Sequence, residues 1–403
     1  RSDPPDPPLL NWTLVPTTLP DLPSGIDLMH HATDWVRGHS DDDIPTPKPT
    51  PAALGKWWID EWSMQAEMLQ GRMRIPDITF RRRLREELSE ARALFGERGW
   101  IKDPRSYHQE PPATTDMTLK SAPFAGLKLE RFRFASDFEP HLGEPGRDRW
   151  LNYPKVNEAA GWILRHSDYE DRPWILVING YRTGDLGTDL MSFRVKHLHK
   201  DLGLNVANVT LPLHGPRALG ETSGARVLNA GAMNTINTIA HGAWDIRRVL
   251  AWLRTEMGAQ SIGISGISLG GYMVSLVSCL DDDLACVIAG VPESDLVRGM
   301  RRQIEPLLPP FYEQWGLSWG PLERVFTPVS PLAMQPLVAH DRRYIYAGLL
   351  DRWVRPGNVK TLWEHWGQPS IHWYNGSHLS FPFEKSVKRY VDGALREALP
   401  LST

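Results

Sequence analysis

Residues 261 to 273 read SIGISGISLGGYM, and Ser268 stands between glycines where an apolar strand gives way to a helical segment, GGYMVSLVSCL. No other stretch constrains the fold as much. A serine at the tip of so tight a turn has to take strained backbone angles if its hydroxyl is to stand clear of the sheet. Side chains two positions to either side would collide, and glycine at 266 and 270 removes the collision. The neighbouring Ser265 has Ile267 where its second glycine would be, so Ser268 alone satisfies G-x-S-x-G in a strand-to-helix setting. The competing reading is a plain turn with incidental glycines.

The sequence around this turn has the grammar of a layered fold. From about Leu127, short apolar strands alternate with helical segments, which implies a mostly parallel sheet with helices on both faces. Strand patterns fall at 127 to 134, 173 to 180, 204 to 213, 260 to 265, 284 to 290, 344 to 350 and 370 to 375, with a helix at 242 to 257. No clear strand can be placed between 138 and 172. The region before about Ser121 differs: it is Pro-rich, with DIPTPKPTP at 43 to 51 reading as a stiff extended linker and helices expected at 56 to 70 and 77 to 96. RRRLREE at 81 to 87, with interleaved signs, reads as a solvated helix face. The expectation is an α/β fold with a mostly parallel, doubly wound sheet: a helical N-terminal extension over 1–125, the sheet domain over 126–403, and a lid or cap insertion at about 296–335.

A serine hydroxyl is a poor nucleophile at neutral pH, so Ser268 needs a base and an acid, which such sheets supply after later strands in the order Ser, Asp/Glu, His. YIYAGLL runs into Asp351, a carboxylate just past the carboxyl end of a strand, where sites in open α/β sheets form. SIHWYN is followed by Gly376-Ser377-His378, an imidazole on the next loop. Asp351 and His378 are therefore the expected acid and base. Glu293 and Asp295 in VPESD follow another strand end and compete for the acid's role, whereas His372 sits inside a strand and His365 in the preceding helix.

Composition narrows the partner. A formal net charge of -3 over 403 residues gives no electrostatic case for nucleic acid or an acidic membrane surface. No window reaches the roughly 18 to 20 consecutive apolar residues needed to span a bilayer. The Trp-rich helix at 56 to 70 could dock on a membrane or a partner chain, but Lys56, Asp60, Glu61 and Glu67 argue against insertion, and the expected role is packing on the sheet domain, bordering the pocket. Cys279 and Cys286 are too few for a disulfide framework or metal cluster, so the expected setting is the cytoplasm, with no metal or cofactor. A chain that begins at Arg1 rather than Met is also compatible with a removed leader.

Through GISLG, the carboxylate after AGLL and the histidine in GSH, residues from about 127 to 403 resemble the α/β-hydrolase superfamily of serine esterases and lipases. The resemblance implies an eight-stranded, mostly parallel sheet or a variant of it, and a triad of Ser268, Asp351 and His378. It also implies an oxyanion hole from the backbone N–H groups of Leu269 and Tyr181. Many members carry His-Gly where this chain has Asn179-Gly180, two residues expected beside the substrate. His214, in LPLHGPR, either lines the pocket or bonds its own loop, and the structural role is favoured. Trp315 lies in the apolar stretch 305 to 326, which suits a lid over a carbon chain. The expected reaction is hydrolysis of a small-molecule carboxylic ester through an acyl-enzyme. Thioester or amide cleavage by the same triad is the alternative, and a ligand-binding scaffold with dead chemistry the reading from another class.

Overall fold

The computed structural model describes residues 12–13, 43–72, 75–76, 78–114, 116–220, 222–304 and 319–401. A nine-stranded sheet organises it. Its strands are β1 (Thr118–Ser121), β2 (Glu130–Ala135), β3 (Glu158–Leu164), β4 (Trp174–Ile178), β5 (Asn205–Val209), β6 (Ile262–Ile267), β7 (Cys286–Gly290), β8 (Arg343–Gly348) and β9 (Ser370–Tyr374). In space the order is β9-β8-β7-β6-β4-β5-β3-β2-β1. Neighbours from β9 to β5 run parallel, and β3, β2 and β1 follow antiparallel. β1 extends the antiparallel edge beyond the eight strands expected.

Alternation along each strand separates two cores. In β4, Trp174, Leu176 and Ile178 enter one cluster with helices α3 (Ala232–Thr255) and α4 (Leu269–Val277). Ile175 and Val177 enter the other, with the terminal helix Lys385–Ala398. A strand sandwiched in this way has to be apolar on both faces, and β4, β6 and β7 are buried at every position. The result is three layers.

Three features depart from the sequence pattern. β3 fills the gap left between 138 and 172: its EAAGWIL has weak strand propensity, and a Cβ on Gly161 would run into the carbonyl of Asn208 and the ring of Phe132. Helix α3 starts ten residues before 242, its first turns rich in Asn and Thr, which are modest helix formers. The 43 to 51 stretch is docked rather than free. Ile44 is buried, Lys48 exchanges two hydrogen bonds of 3.0 Å with the Asn375 side chain, and Pro51 already begins helix α1 (Pro51–Arg72).

Helix α1 lies against the sheet's carboxyl edge, with Ala53 and Trp57 packed on Leu350 just after β8. Helix α2 (Ile78–Glu97) packs on the main core through Leu88, Ala91 and Phe95. On α2, Arg82, Arg85 and Glu86 are solvated, whereas Glu87 is buried and takes a two-pronged bond from Arg149. Among the described residues no helix is long and apolar enough to cross a membrane. The chain leaves β4 toward β5 on one side and β6 toward β7 on the other. Such a reversal opens a crevice at the carboxyl ends of β4 and β6, where ligands bind in open α/β sheets.

Candidate active site

Ser268 sits at that crevice with φ 57° and ψ −114°, a conformation that costs a non-glycine residue about 1–3 kcal/mol. The surroundings over-determine it. Its N–H donates to the Gly290 carbonyl at 2.9 Å, and its own carbonyl accepts from Tyr272 N–H at 3.0 Å, starting α4. A Cβ on Gly266 would enter the Gly270 carbonyl, and one on Gly270 would enter the Ile178 carbonyl at the end of β4. Both glycines are therefore required by contact as well as by the turn. Ser268 remains partly exposed.

The chain after β4 passes close by. A Cβ on Gly180 would lie 3.0 Å from the Ile267 carbonyl oxygen and 3.6 Å from Ser268 Cβ, so Tyr181 follows a peptide set beside the serine. Leu269 is the first residue of α4, and its N–H is one of the donors that a helix start leaves without an intrahelical partner. Asn179 is fully buried and faces the main chain: its Oδ1 accepts from Leu211 N–H at 3.0 Å and its Nδ2 donates to the Gly180 carbonyl at 3.1 Å. The amide thus ties the ends of β4 and β5 together.

Asp351 and His378 meet on the same edge of the sheet. Asp351 Oδ2 lies 2.6 Å from His378 Nδ1, while its Oδ1 accepts from Val354 N–H at 2.7 Å. Burial pushes the Asp351 carboxyl up to about 6, against the pull of His378. Burial works to lower His378, but the charges of Asp351, Asp60 and Glu293 outweigh it and hold the imidazole above its usual value.

The competing groups point elsewhere. Glu293 Oε1 accepts from Asn358 Nδ2 at 2.8 Å and from the N–H groups of Ser294 and Asp295, and burial pushes the carboxyl up to about 7. Asp295 accepts from Arg298 N–H at 3.0 Å at the start of the helix Leu296–Ile304. His365 bonds the Met334 carbonyl, and His372 stacks on Tyr390. His214 is fully buried, with Nδ1 2.9 Å from the Pro212 carbonyl, and burial drives it down to about 4, so it is neutral. Trp315 lies outside the described residues, as does the whole of 305 to 318.

Sequence reading has α1 packing on the sheet domain and bordering the pocket, but not the bonds it makes there. Asp60, Glu61 and Glu67, read from sequence as charges that argue against membrane insertion, bond the loops around the site. Asp60 bonds the main chain at His378, Leu379 and Arg352, Glu61 the Arg352 side chain, and Glu67 the hydroxyl of Tyr181. The signal was a polar stripe, Lys56, Asp60, Ser63 and Glu67, at the i, i+4, i+7, i+11 spacing of one helix face.

No protein-family model matches the chain. Uncharacterized protein MT2702 of Mycobacterium tuberculosis is 35% identical over 393 residues, covering 97% of this chain and 92% of its own length. Uncharacterized protein Rv2627c of the same species is 34% identical over 393 residues, with coverage of 97% and 92%. Similar solved structures include acetyl xylan esterase from Paenibacillus sp. R4, at 14% identity and TM-score 0.48, covering 72% of this chain and 98% of that one. Acetyl xylan esterase 1 from Thermoanaerobacterium sp. JW/SL YS485 has 14% identity and TM-score 0.47, covering 69% and 87%. With identity to the mycobacterial proteins along almost its whole length, the chain belongs to one family with them.

Proposed function

We propose that this protein is a serine hydrolase that cleaves carboxylic esters with an apolar acyl or alcohol part through an acyl-enzyme. The observation that carries the reading is the 2.6 Å bond between Asp351 and His378, on the sheet edge where Ser268 projects from a strained turn. In this scheme His378 Nε2 takes the Ser268 hydroxyl proton as Oγ attacks the ester carbonyl. Asp351 holds Nδ1–H and stabilises the imidazolium. The oxyanion accepts from Leu269 N–H and Tyr181 N–H, donors whose individual loss typically costs about 2.7–4 kcal/mol of barrier. The imidazolium then protonates the departing alcohol, and water activated by the same base releases the acid.

The segment at about 296–335 forms the lid in this reading, with the N-terminal helices bordering the pocket. Its apolar sequence suits a carbon chain, each buried methylene contributing about 0.8 kcal/mol. An ester also needs less help for its leaving group than an amide. A fluorophosphonate probe should label Ser268 and leave Ser268→Ala unlabelled, and matched ester, thioester and anilide substrates should show the highest kcat/KM for the ester. Labelling that survives Ser268→Ala would remove the nucleophile, and faster anilide cleavage would remove the ester preference. A wild-type protein that neither reacts nor turns over any substrate would be a scaffold on this fold.

A further inference from the structure

Asp60 belongs to α1, outside the sheet, and is fully buried. Its Oδ2 accepts from His378 N–H at 2.6 Å and from Arg352 N–H at 3.2 Å, and its Oδ1 accepts from Leu379 N–H at 3.0 Å. One side chain therefore bonds the main chain of the histidine and of the residue that follows Asp351. These are the two loops whose separation sets the Asp351–His378 contact. A carboxylate, with acceptors only, matches three N–H donors, whereas an amide would turn its NH2 group against at least one of them.

The rest of α1 makes this placement firm. Glu61 Oε2 accepts from Arg352 Nε at 2.8 Å, Trp353 Nε1 donates to Ser63 Oγ at 2.8 Å, and Lys56 pairs with Glu384 at 2.6 Å. Further along, Glu67 accepts from the Tyr181 hydroxyl at 3.1 Å, so the same helix also reaches the loop after β4. The match to the mycobacterial relatives spans 97% of the chain, which leaves too few residues outside it to omit the 22-residue α1.

We propose that Asp60 is a positioning residue: it clamps the histidine turn to the acid loop, so that the hydrolase site is complete only with α1 docked on it. The inference rests on the serine-hydrolase reading above. The negative charge of Asp60 also faces the imidazole and helps to raise it, which gives a readout that loss of shape alone would not move.

The test compares full-length wild type, Asp60→Asn and Trp62→Ser, the last changing an exposed residue of the same helix. Three readouts are taken: fluorophosphonate labelling rate, ester kinetics against pH, and direct NMR titration of the His378 ring. Asp60→Asn should slow labelling and kcat by about 10- to 100-fold, the cost of misplacing a reacting group by about 1 Å, with KM little changed. His378 should titrate at lower pH, and the acid limb of kcat/KM should move down with it. Trp62→Ser should keep the wild-type titration. A wild-type His378 titration in Asp60→Asn, even with slower turnover, overturns the proposal. Should Asp60→Asn fail to fold, Asp60→Ser, which keeps one acceptor, takes its place, and failure of both makes Asp60 a fold-holding residue and also overturns it. Absence of labelling in the wild type sinks the serine-hydrolase reading instead, and the NMR titration still reports on the clamp.

Discussion

Replacing Asp351 by Asn tests the acid's assignment, and the structure dictates how the variant goes wrong. Asp351 Oδ1 is 2.7 Å from Val354 N–H, a donor that an amide can satisfy only with its oxygen. The NH2 group then falls at the Oδ2 position, 2.6 Å from His378 Nδ1 in the wild type. Facing a donor, the imidazole keeps Nδ1 unprotonated and carries its proton on Nε2, the nitrogen that has to accept from Ser268. A histidine locked in the wrong tautomer lowers kcat by about 10⁴, or about 5.4 kcal/mol at about 1.36 kcal/mol per decade. Glu293→Gln is the matched control. Its Oε1 can go on accepting from Asn358 and the two backbone donors, so kcat should stay within about threefold, under about 1 kcal/mol. Steady-state kinetics on a chromogenic ester, with circular dichroism melts to establish folding, measure both. A large loss confined to Glu293→Gln would refute the tautomer reasoning and move the acid to the end of β7.

His378 has to be neutral to act as a base, and its neighbours hold it above 6.5, so kcat/KM should rise with pH through a midpoint above that value; a midpoint below it contradicts the assignment. A separate prediction concerns stability: Arg217 and Asp245 form a fully buried 2.7 Å pair, with Ser136 Oγ also donating to Asp245 at 2.5 Å. Arg217→Met strands a buried carboxylate and the carbonyls of Thr210 and Val156 and should destabilise by about 3–5 kcal/mol in urea unfolding, whereas adding Asp245→Leu should recover only the carboxylate's part of the loss. A double variant less stable than the single one contradicts this account.

The local turn and the order of the elements were legible because each is written in short-range chemistry. Gly266 and Gly270 around Ser268 specify a backbone that few residues tolerate, and the apolar runs of β4, β6 and β7 could only be strands covered on both faces. Chain order then pointed to Asp351 and His378 past their strand ends. β3 was illegible because its small residues satisfy a neighbour: Gly161 is there to admit the Asn208 main chain and the Phe132 ring, a demand that exists only once β2 and β5 flank it. The first turns of α3 were hidden likewise, since Asn234, Thr235, Asn237 and Thr238 are polar in sequence yet buried in the fold.

What the sequence determined by itself is therefore the parallel strands, the strained serine turn and the placing of carboxylates and a histidine just past strand ends, each written within a few residues. Tertiary structure alone decided which carboxylate reaches the imidazole. Asp351 and Glu293 both follow strand ends, and only the loop geometry turns one toward His378 and the other toward Asn358. It also decided the meaning of Asp60. A charge on an amphipathic helix is solvated by default, and it faces inward here because two loops distant in sequence bring three unpaired N–H groups to one point, which a single carboxylate satisfies.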